Sequence, residues 1–111
     1  MKPIITYEDF DKSDLRVGKV IAASNPEWSN KLIELKVDFG AEVGERTIFT
    51  GIRKWHTPEE MQGKAYIFVV NMAERKMGDS ASQGMLIMAD TVDGVNLIPV
   101  PESIPAGTEV K

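Results

Sequence analysis

Hydrophobic and charged residues alternate along residues 31–39 of the chain. Ile33, Leu35, Val37 and Phe39 fall on one face, and the residues between them are charged. A period of two over this length predicts a strand that is buried on one side.

Four further segments are rich in the apolar and β-branched residues typical of strands. They are Leu15–Ala23, Arg46–Thr50, the continuous apolar run Ala65–Met72, and Gln83–Ala89. Gly18, inside the first of them, predicts a bulge or a strong bend. In the last, Met85 has the parity of Ile87 and Ala89, so the pattern alone favours a core position for its side chain.

Two short helices are predicted by their start signals. Thr6 is the expected N-cap of the first helix, which carries Phe10 on its apolar side. Thr57 as N-cap, Pro58 at the first helical position and Glu60 at the capping-box position predict a second helix. Gly63 follows so closely that this helix has room for only one or two turns.

The predicted order is three strands, a short helix and two more strands. This order favours an all-β fold, a five-stranded OB-fold barrel with a short helix between strands 3 and 4. Other small β barrels fit the same pattern. We expect a single domain over residues 1–111, with the barrel at about 7–90 and a C-terminal extension at about 91–111. Asp93-Gly94 predicts a hairpin within that extension, and its prolines predict an irregular end.

Composition excludes several classes of site. The chain has no cysteine and one histidine, His56, so disulfides, zinc ribbons and thiol catalysis are excluded and no metal site is expected. No nucleophile and base have a familiar spacing, and we expect no catalytic residues and no cofactor. No apolar run approaches the ~20 residues of a membrane span, and the first residues do not have the pattern of a signal peptide. A cytoplasmic protein with no membrane partner is the expectation.

Charge is distributed unevenly along the chain. The formal net charge is −4, which argues against indiscriminate coating of nucleic acid. Residues 46–76 nevertheless carry six basic side chains against three acidic ones, whereas residues 77–111 carry one against five. A polyanion partner is therefore expected to meet the middle of the chain, although ordinary surface variation also explains the difference.

Six groups of residues resemble one family in order and spacing. They are Asp14–Gly18, Ser29–Leu32 with Val37–Gly40, Arg46–Ile52, Thr57–Glu60 with Gly63-Lys64, Val69–Met72, and Ser82–Leu86. Together they resemble the tRNA-binding domain, which is appended to methionyl-tRNA synthetases, begins the bacterial phenylalanyl-tRNA synthetase β chain, and occurs as free-standing dimers. The resemblance covers roughly residues 7–111, and its tail, Thr91–Lys111, is similar to the free-standing methionyl-tRNA synthetase β-subunit type.

This resemblance implies an OB fold that binds tRNA by shape, without catalysis, as a homodimer and possible partner of a methionyl-tRNA synthetase. The related CsaA chaperone branch lacks the Asn/Asp-Lys-Leu and Ser-x-Gly-Met segments, and this chain has both, so the resemblance favours the tRNA-binding branch. A peptide-binding secretion chaperone is the alternative. The family usually has Asp before Lys-Leu, where this chain has Asn30. The change removes a negative charge and leaves Lys31 without a neighbouring carboxylate.

An OB barrel binds strands or loops of nucleic acid between the loop joining strands 1 and 2 and the loop joining strands 4 and 5. The first of these is Ser24–Asn30, with Lys31 at its exit, and the second is Ala73–Ser82. The fold should therefore bring Lys31 close to Arg75 and Lys76. Trp28 in the first loop could stack on a base or cover the open end of the barrel.

Other residues are candidates for RNA binding beside these loops. Met85 offers a flexible apolar surface to a base, Ser82 could bond a phosphate or a 2′-OH, and Gly84 permits a close backbone approach. Their structural alternatives are a core methionine, a turn serine and a bulge glycine. Arg53 and Lys54 form a second cationic cluster with the aromatic residues that follow them.

The C-terminal extension has more apolar residues than a barrel that closes before residue 91 can readily bury. We therefore expect it to form the homodimer interface. The residues predicted for this interface are Val92, Leu97, Ile98, Val100 and Ile104.

Overall fold

The computed structural model describes residues 1–111 and contains ten strands and three short helices. The helices are α1 (Tyr7–Asp11), α2 (Gly40–Val43) and α3 (Pro58–Met61). The strands are β1 (Leu15–Ser24), β2 (Ile33–Asp38), β3 (Glu45–Thr50), β4 (Ala65–Val69), β5 (Arg75–Met77), β6 (Ser80–Ser82), β7 (Met85–Leu86), β8 (Ala89–Thr91), β9 (Gly94–Asn96) and β10 (Glu109–Val110).

Five antiparallel strands in the order β3-β2-β1-β4-β7 form a nearly closed barrel. The gap between β3 and β7 is bridged by residues just before β7. The Gln83 N–H donates to the Thr47 carbonyl at 2.8 Å, and the Phe49 N–H donates to the Ser82 hydroxyl at 3.0 Å. The predicted all-β, OB-like barrel with a helix between β3 and β4 is confirmed.

The core lies inside the barrel and follows the predicted alternation. Ile33, Leu35, Val37 and Phe39 have no exposed surface, and Phe68 packs edge-on against Phe39 with ring centroids 5.3 Å apart. The half-buried strand predicted within residues 31–39 is therefore confirmed, with the bounds Ile33–Asp38.

The bulge predicted at Gly18 lies elsewhere in β1. The register between β1 and β2 shifts between Val20 and Ala22, whereas Gly18 pairs regularly with Tyr66. A Cβ atom on Gly18 would lie within 3 Å of side-chain atoms of Val37 and two core phenylalanines. The glycine is thus required by close core packing and not by a bulge.

Several predicted strand boundaries need correction. β4 ends at Val69 and not at residue 72, because Val69 pairs with Leu15, the first residue of β1, and the chain beyond it has no strand partner. Only Met85–Leu86 of the segment predicted at 83–89 is a strand of the barrel. The loop at 73–82 contains the β5–β6 hairpin, and residues 40–43 form a third short helix, α2.

Both predicted helix starts are confirmed. Thr6 with Asp9, and Thr57 with Glu60, form complete capping boxes at α1 and α3. However, Phe10 is not a core residue, since it is 43% exposed and α1 has no buried residue.

The C-terminal extension packs against the barrel. The predicted turn at Asp93-Gly94 joins β8 to β9, and β10 pairs with the start of β1. Beside β10, the guanidinium of Arg16 contacts Asp14 at 2.6 Å and Glu42 at 2.9 Å. Hydrogen bonds to these carboxylates raise the pKa of Arg16 above its usual value. The same guanidinium contacts the extension at the Gly107 carbonyl, 3.2 Å away, and at Glu109, 3.6 Å away.

Candidate nucleic-acid interface

Trp28 joins the two loops at one end of the barrel. Its ring packs on Phe49 of β3 with centroids 5.5 Å apart, and it also lies against Gly78, the turn residue of the β5–β6 hairpin. A Cβ atom on Gly78 would lie 3.1 Å from the indole, and the φ angle there is +59°. Half of the Trp28 surface remains exposed. The contact therefore holds two distant segments together and leaves an aromatic surface open to solvent.

The first loop is held in shape by Ser29 and Arg53. The Ser29 hydroxyl accepts the N–H groups of Lys31 and Leu32, both at 3.2 Å. The Arg53 guanidinium donates to the Ser29 carbonyl, and its backbone N–H donates to the Lys31 carbonyl. Arg53 is thus half-buried and occupied with its own loop, whereas Asn30 and Lys31 are exposed.

The second loop presents its cations on the β5–β6 hairpin. Arg75 and Lys76 are both exposed, and the ion pairs of the chain involve neither of them nor Lys31. Three cationic side chains without a partner are thus carried by two loops that Trp28 holds in contact.

An apolar pit lies between the hairpin and β7. Three methionines, Met72, Met77 and Met85, line it together with Phe49, and Arg75 lies on its rim. Met85 is 45% exposed, while the next residue, Leu86, points inward with 4% exposure. The core position that parity favoured for Met85 is therefore wrong, because at this edge of the barrel the face opposite Leu86 looks outward.

Ser82 and Gly84 lie beneath this surface. Ser82 is 3% exposed, and its hydroxyl accepts from the Phe49 N–H and donates to the Gly84 carbonyl at 3.2 Å. Gly84 has φ of +152°, and a Cβ atom there would lie 2.8 Å from the Val69 carbonyl oxygen. In the isolated chain both residues close the barrel, and the Ser82 hydroxyl has no hydrogen left to donate to an RNA.

The predicted second cluster is divided between two roles. Lys54 is exposed, with Nζ 5.6 Å from the centre of the Trp55 ring. The two aromatic residues that follow Lys54 contact the extension instead. Trp55 lies against Gly94, and His56 Nε2 is 2.7 Å from the Val95 carbonyl oxygen.

Sequence reasoning missed Arg46 and Gln83, which tie the second loop to the barrel. One nitrogen of Arg46, Nη1, donates to the carbonyls of Val70 and Gln83. The Gln83 side chain accepts from the Thr47 N–H at 3.0 Å. The sequence did contain a signal for Arg46. It lies two residues before Ile48 in the same strand and therefore on the same, buried face, where the pattern predicts an apolar residue.

Residues 15–109 match the model of a protein family described as "Putative tRNA binding domain". The chain belongs to this family. The tRNA-binding domain is 41% identical over 112 residues to a methionine–tRNA ligase from Clostridium tetani, but it spans only 17% of that enzyme's length.

Two solved structures resemble the tRNA-binding domain over nearly its whole length. A MetRS-related protein from Pyrococcus horikoshii is 48% identical with a TM-score of 0.93, covering 99% of this chain and 100% of its own. The CsaA chaperone from Picrophilus torridus is 30% identical with a TM-score of 0.87, covering 97% and 100%. Separately, none of the helices has the length and apolarity that crossing a membrane requires.

Proposed function

We propose that this tRNA-binding domain is a non-catalytic protein that recognises folded tRNA by shape. The observation that carries the proposal is the Trp28 contact with Gly78, because it brings the cationic residues of two distant loops to one end of the barrel. OB folds bind nucleic acid between these two loops, and a cationic groove with aromatic side chains is typical of such sites.

Each exposed residue at this end has a chemical role in the proposal. Lys31, Lys54, Arg75 and Lys76 neutralise phosphates, and Asn30 bonds phosphate or 2′-OH groups. The open face of Trp28 and the exposed thioether of Met85 pack on unstacked bases. Arg53 acts mainly through the shape of the first loop, since its guanidinium donates to the Ser29 carbonyl.

Titration of bulk tRNA by gel shift at several salt concentrations tests the proposal. Arg75→Ala with Lys76→Ala should weaken binding and reduce the slope of log K against log salt by about two, one for each phosphate contact. Met85→Ala should weaken binding without a change in that slope. Lys64→Ala, which removes a charge at the opposite end of β4, is the control. Absence of any tRNA binding by the wild type at low salt would refute the function.

The proposed cellular role is to supply tRNA to a methionyl-tRNA synthetase, in trans or as a β subunit in the cytoplasm. The similarity to one segment of methionine–tRNA ligases supports it. The host synthetase should show a lower KM for tRNA when this protein is present, and an unchanged kcat. The Arg75/Lys76 double variant should not produce this effect.

We also propose a homodimer built on the extension. An apolar groove beside β10 is lined by Ile98, Val100 and Ile104, and a second groove on the other side of β10 contains Tyr7 and Phe10 of α1. Val92, at the tip of the β8–β9 hairpin, is fully exposed, whereas Leu97 packs partly against the core.

Light scattering at micromolar concentration tests the dimer. Ile98→Glu should give monomers, because Ile98 lines the groove and is 43% exposed. Ile21→Glu is the matched control, since Ile21 is 46% exposed on β1 and lies outside both grooves. A wild-type mass of one protomer would refute the dimer.

A peptide-binding chaperone is the second candidate function. The pit lined by three methionines supports it, since methionine adapts to varied apolar partners, and so does the similarity to CsaA. Suppression of the aggregation of a denatured test protein, together with no gel shift of tRNA, would favour this candidate over the first.

A further inference from the structure

We propose that Arg46 forms a phosphate subsite beside the methionine pit, so that an RNA is held by an apolar contact and an anion contact next to each other. This inference rests on the proposed tRNA-binding function and adds to it a residue that neither loop contains.

The guanidinium of Arg46 is fixed but only partly used. Both carbonyls that it contacts, those of Val70 and Gln83, are bonded by Nη1. An arginine side chain has five N–H donors, so the three on Nε and Nη2 have no partner in the protein. None of these nitrogens is sealed from solvent, because the structure contains no fully buried side-chain nitrogen or oxygen without a partner. Three donors are therefore unused by the protein, and the nitrogens that carry them are in contact with solvent.

The charge of Arg46 is not compensated by an acid. No carboxylate lies within 4 Å of it, whereas Arg16, the buried arginine of this barrel, pairs with Asp14, Glu42 and Glu109. Backbone carbonyls orient the Arg46 guanidinium without neutralising it. Because its geometry is set before binding, less side-chain freedom is lost when a phosphate binds there than at an exposed lysine.

The position of Arg46 connects it with the pit. A shallow depression is lined by Arg46, Val70, Asn71, Met72, Ala73, Glu74 and Gln83. Two of these residues, Met72 and Ala73, also line the methionine pit. An RNA that places a base against Met85 therefore has Arg46 in the neighbouring depression, where its backbone can follow.

Glu74 is the opposing charge in this depression. Its carboxylate accepts from the Gln83 side-chain amide at 3.3 Å and forms no ion pair with Arg46. A phosphate held by Arg46 would be repelled by Glu74, which lines the same depression. Replacing Glu74 with the isosteric Gln should therefore strengthen RNA binding. If Arg46, Glu74 and Gln83 only stabilised the fold, this substitution would not be expected to strengthen binding.

Binding of tRNA by four variants, between about 50 and 200 mM salt, tests the subsite. Arg46→Gln should weaken binding and lower the salt slope by about one, and Arg46→Lys should keep the wild-type slope. Glu74→Gln should bind more tightly than wild type at low salt, with the gain fading as salt rises. Lys64→Gln removes a charge far from the depression and should bind like the wild type.

The outcomes separate the subsite from the function on which it rests. If the wild type binds tRNA but Arg46→Gln keeps the wild-type slope, or Glu74→Gln shows no salt-sensitive gain, the subsite is refuted and the function stands. If the wild type does not bind tRNA, both fall. Should Arg46→Gln fail to fold, the presence or absence of the salt-sensitive gain in Glu74→Gln decides the question, and ¹H–¹⁵N NMR spectra verify that this variant keeps the β5–β6 hairpin.

Discussion

Replacing Ser82 with Ala separates a structural role of this residue from a role in binding RNA. The Ser82 hydroxyl is the acceptor for the buried Phe49 N–H at 3.0 Å and donates to the Gly84 carbonyl. Both bonds lie where residues 82–84 close the barrel against β3. Alanine removes the hydroxyl at a site with 3% exposure, so water has little access to replace it.

The expected loss of stability follows from the stranded N–H group. A buried donor that loses its partner costs about 1–3 kcal/mol in the free energy of unfolding. For a domain of this size that corresponds to a fall in Tm of about 4–12 °C. Ser80→Ala is the matched control on the same strand, since Ser80 is exposed and its hydroxyl makes no hydrogen bond within the chain. Its effect should stay within about 0.5 kcal/mol.

Urea unfolding, monitored by tryptophan fluorescence and fitted with one common m-value, measures the change in the free energy of unfolding. Binding of tRNA is then measured well below the Tm of the less stable protein. We expect Ser82→Ala to lose stability and to keep RNA affinity within a few-fold wherever it is folded. The opposite pattern, unchanged stability with affinity reduced more than tenfold, would mean that the hydroxyl turns outward to the RNA, and would refute the reasoning.

Three further changes test other parts of the structure. Gly18→Ala should destabilise the fold by about 1–3 kcal/mol in urea, because its Cβ would come within 3 Å of core side chains; Gly51→Ala, where nothing lies within 4 Å, should be neutral or stabilising. Hydrogen bonds from the Thr57 N–H and from His56 lower the pKa of Glu60 below its usual value. The ionised Glu60 carboxylate therefore stabilises the fold at neutral pH, and this stabilisation is lost as the pH falls through the lowered pKa. The stability difference between wild type and Glu60→Gln, measured by urea unfolding, should accordingly shrink in acid. Arg16→Gln should speed amide hydrogen exchange along residues 105–110, because it removes the contacts of Arg16 with Glu109 of β10 and with the Gly107 carbonyl.

The parts of the fold that sequence predicted are those that depend on neighbours in the chain. Alternation placed Ile33 to Phe39 in the core, and local start signals identified Thr6 as an N-cap and Thr57 with Glu60 as a capping box. These signals are local, so no tertiary information was needed to interpret them.

The errors arose where distant contacts decide. Parity along β7 showed that Met85 and Leu86 point to opposite faces, but which face is inside depends on how this short strand closes against β3 and β4. Ser82 is similar, since a serine in a Gly-containing loop gives no sign that its hydroxyl accepts from Phe49, 33 residues away. The residue types at the candidate site were informative, but whether each lies on the surface or beneath it was not encoded locally.

The chain is acidic overall but carries exposed cations at one end of the barrel. The cationic end and the net negative charge should therefore affect RNA affinity at different salt concentrations. At 0.15 M salt the Debye length is ~8 Å, so an RNA at the cationic end is affected mainly by nearby side chains such as Arg75 and Lys76. At ~0.01 M it reaches ~30 Å, comparable with the 41 × 35 × 28 Å extents of the domain, and the net charge of −4 then opposes binding as a whole. The plot of log K against log salt should therefore flatten at its low-salt end. A plot that stays straight to ~0.01 M would show that the acidic residues 77–111 exert no repulsion on the bound RNA.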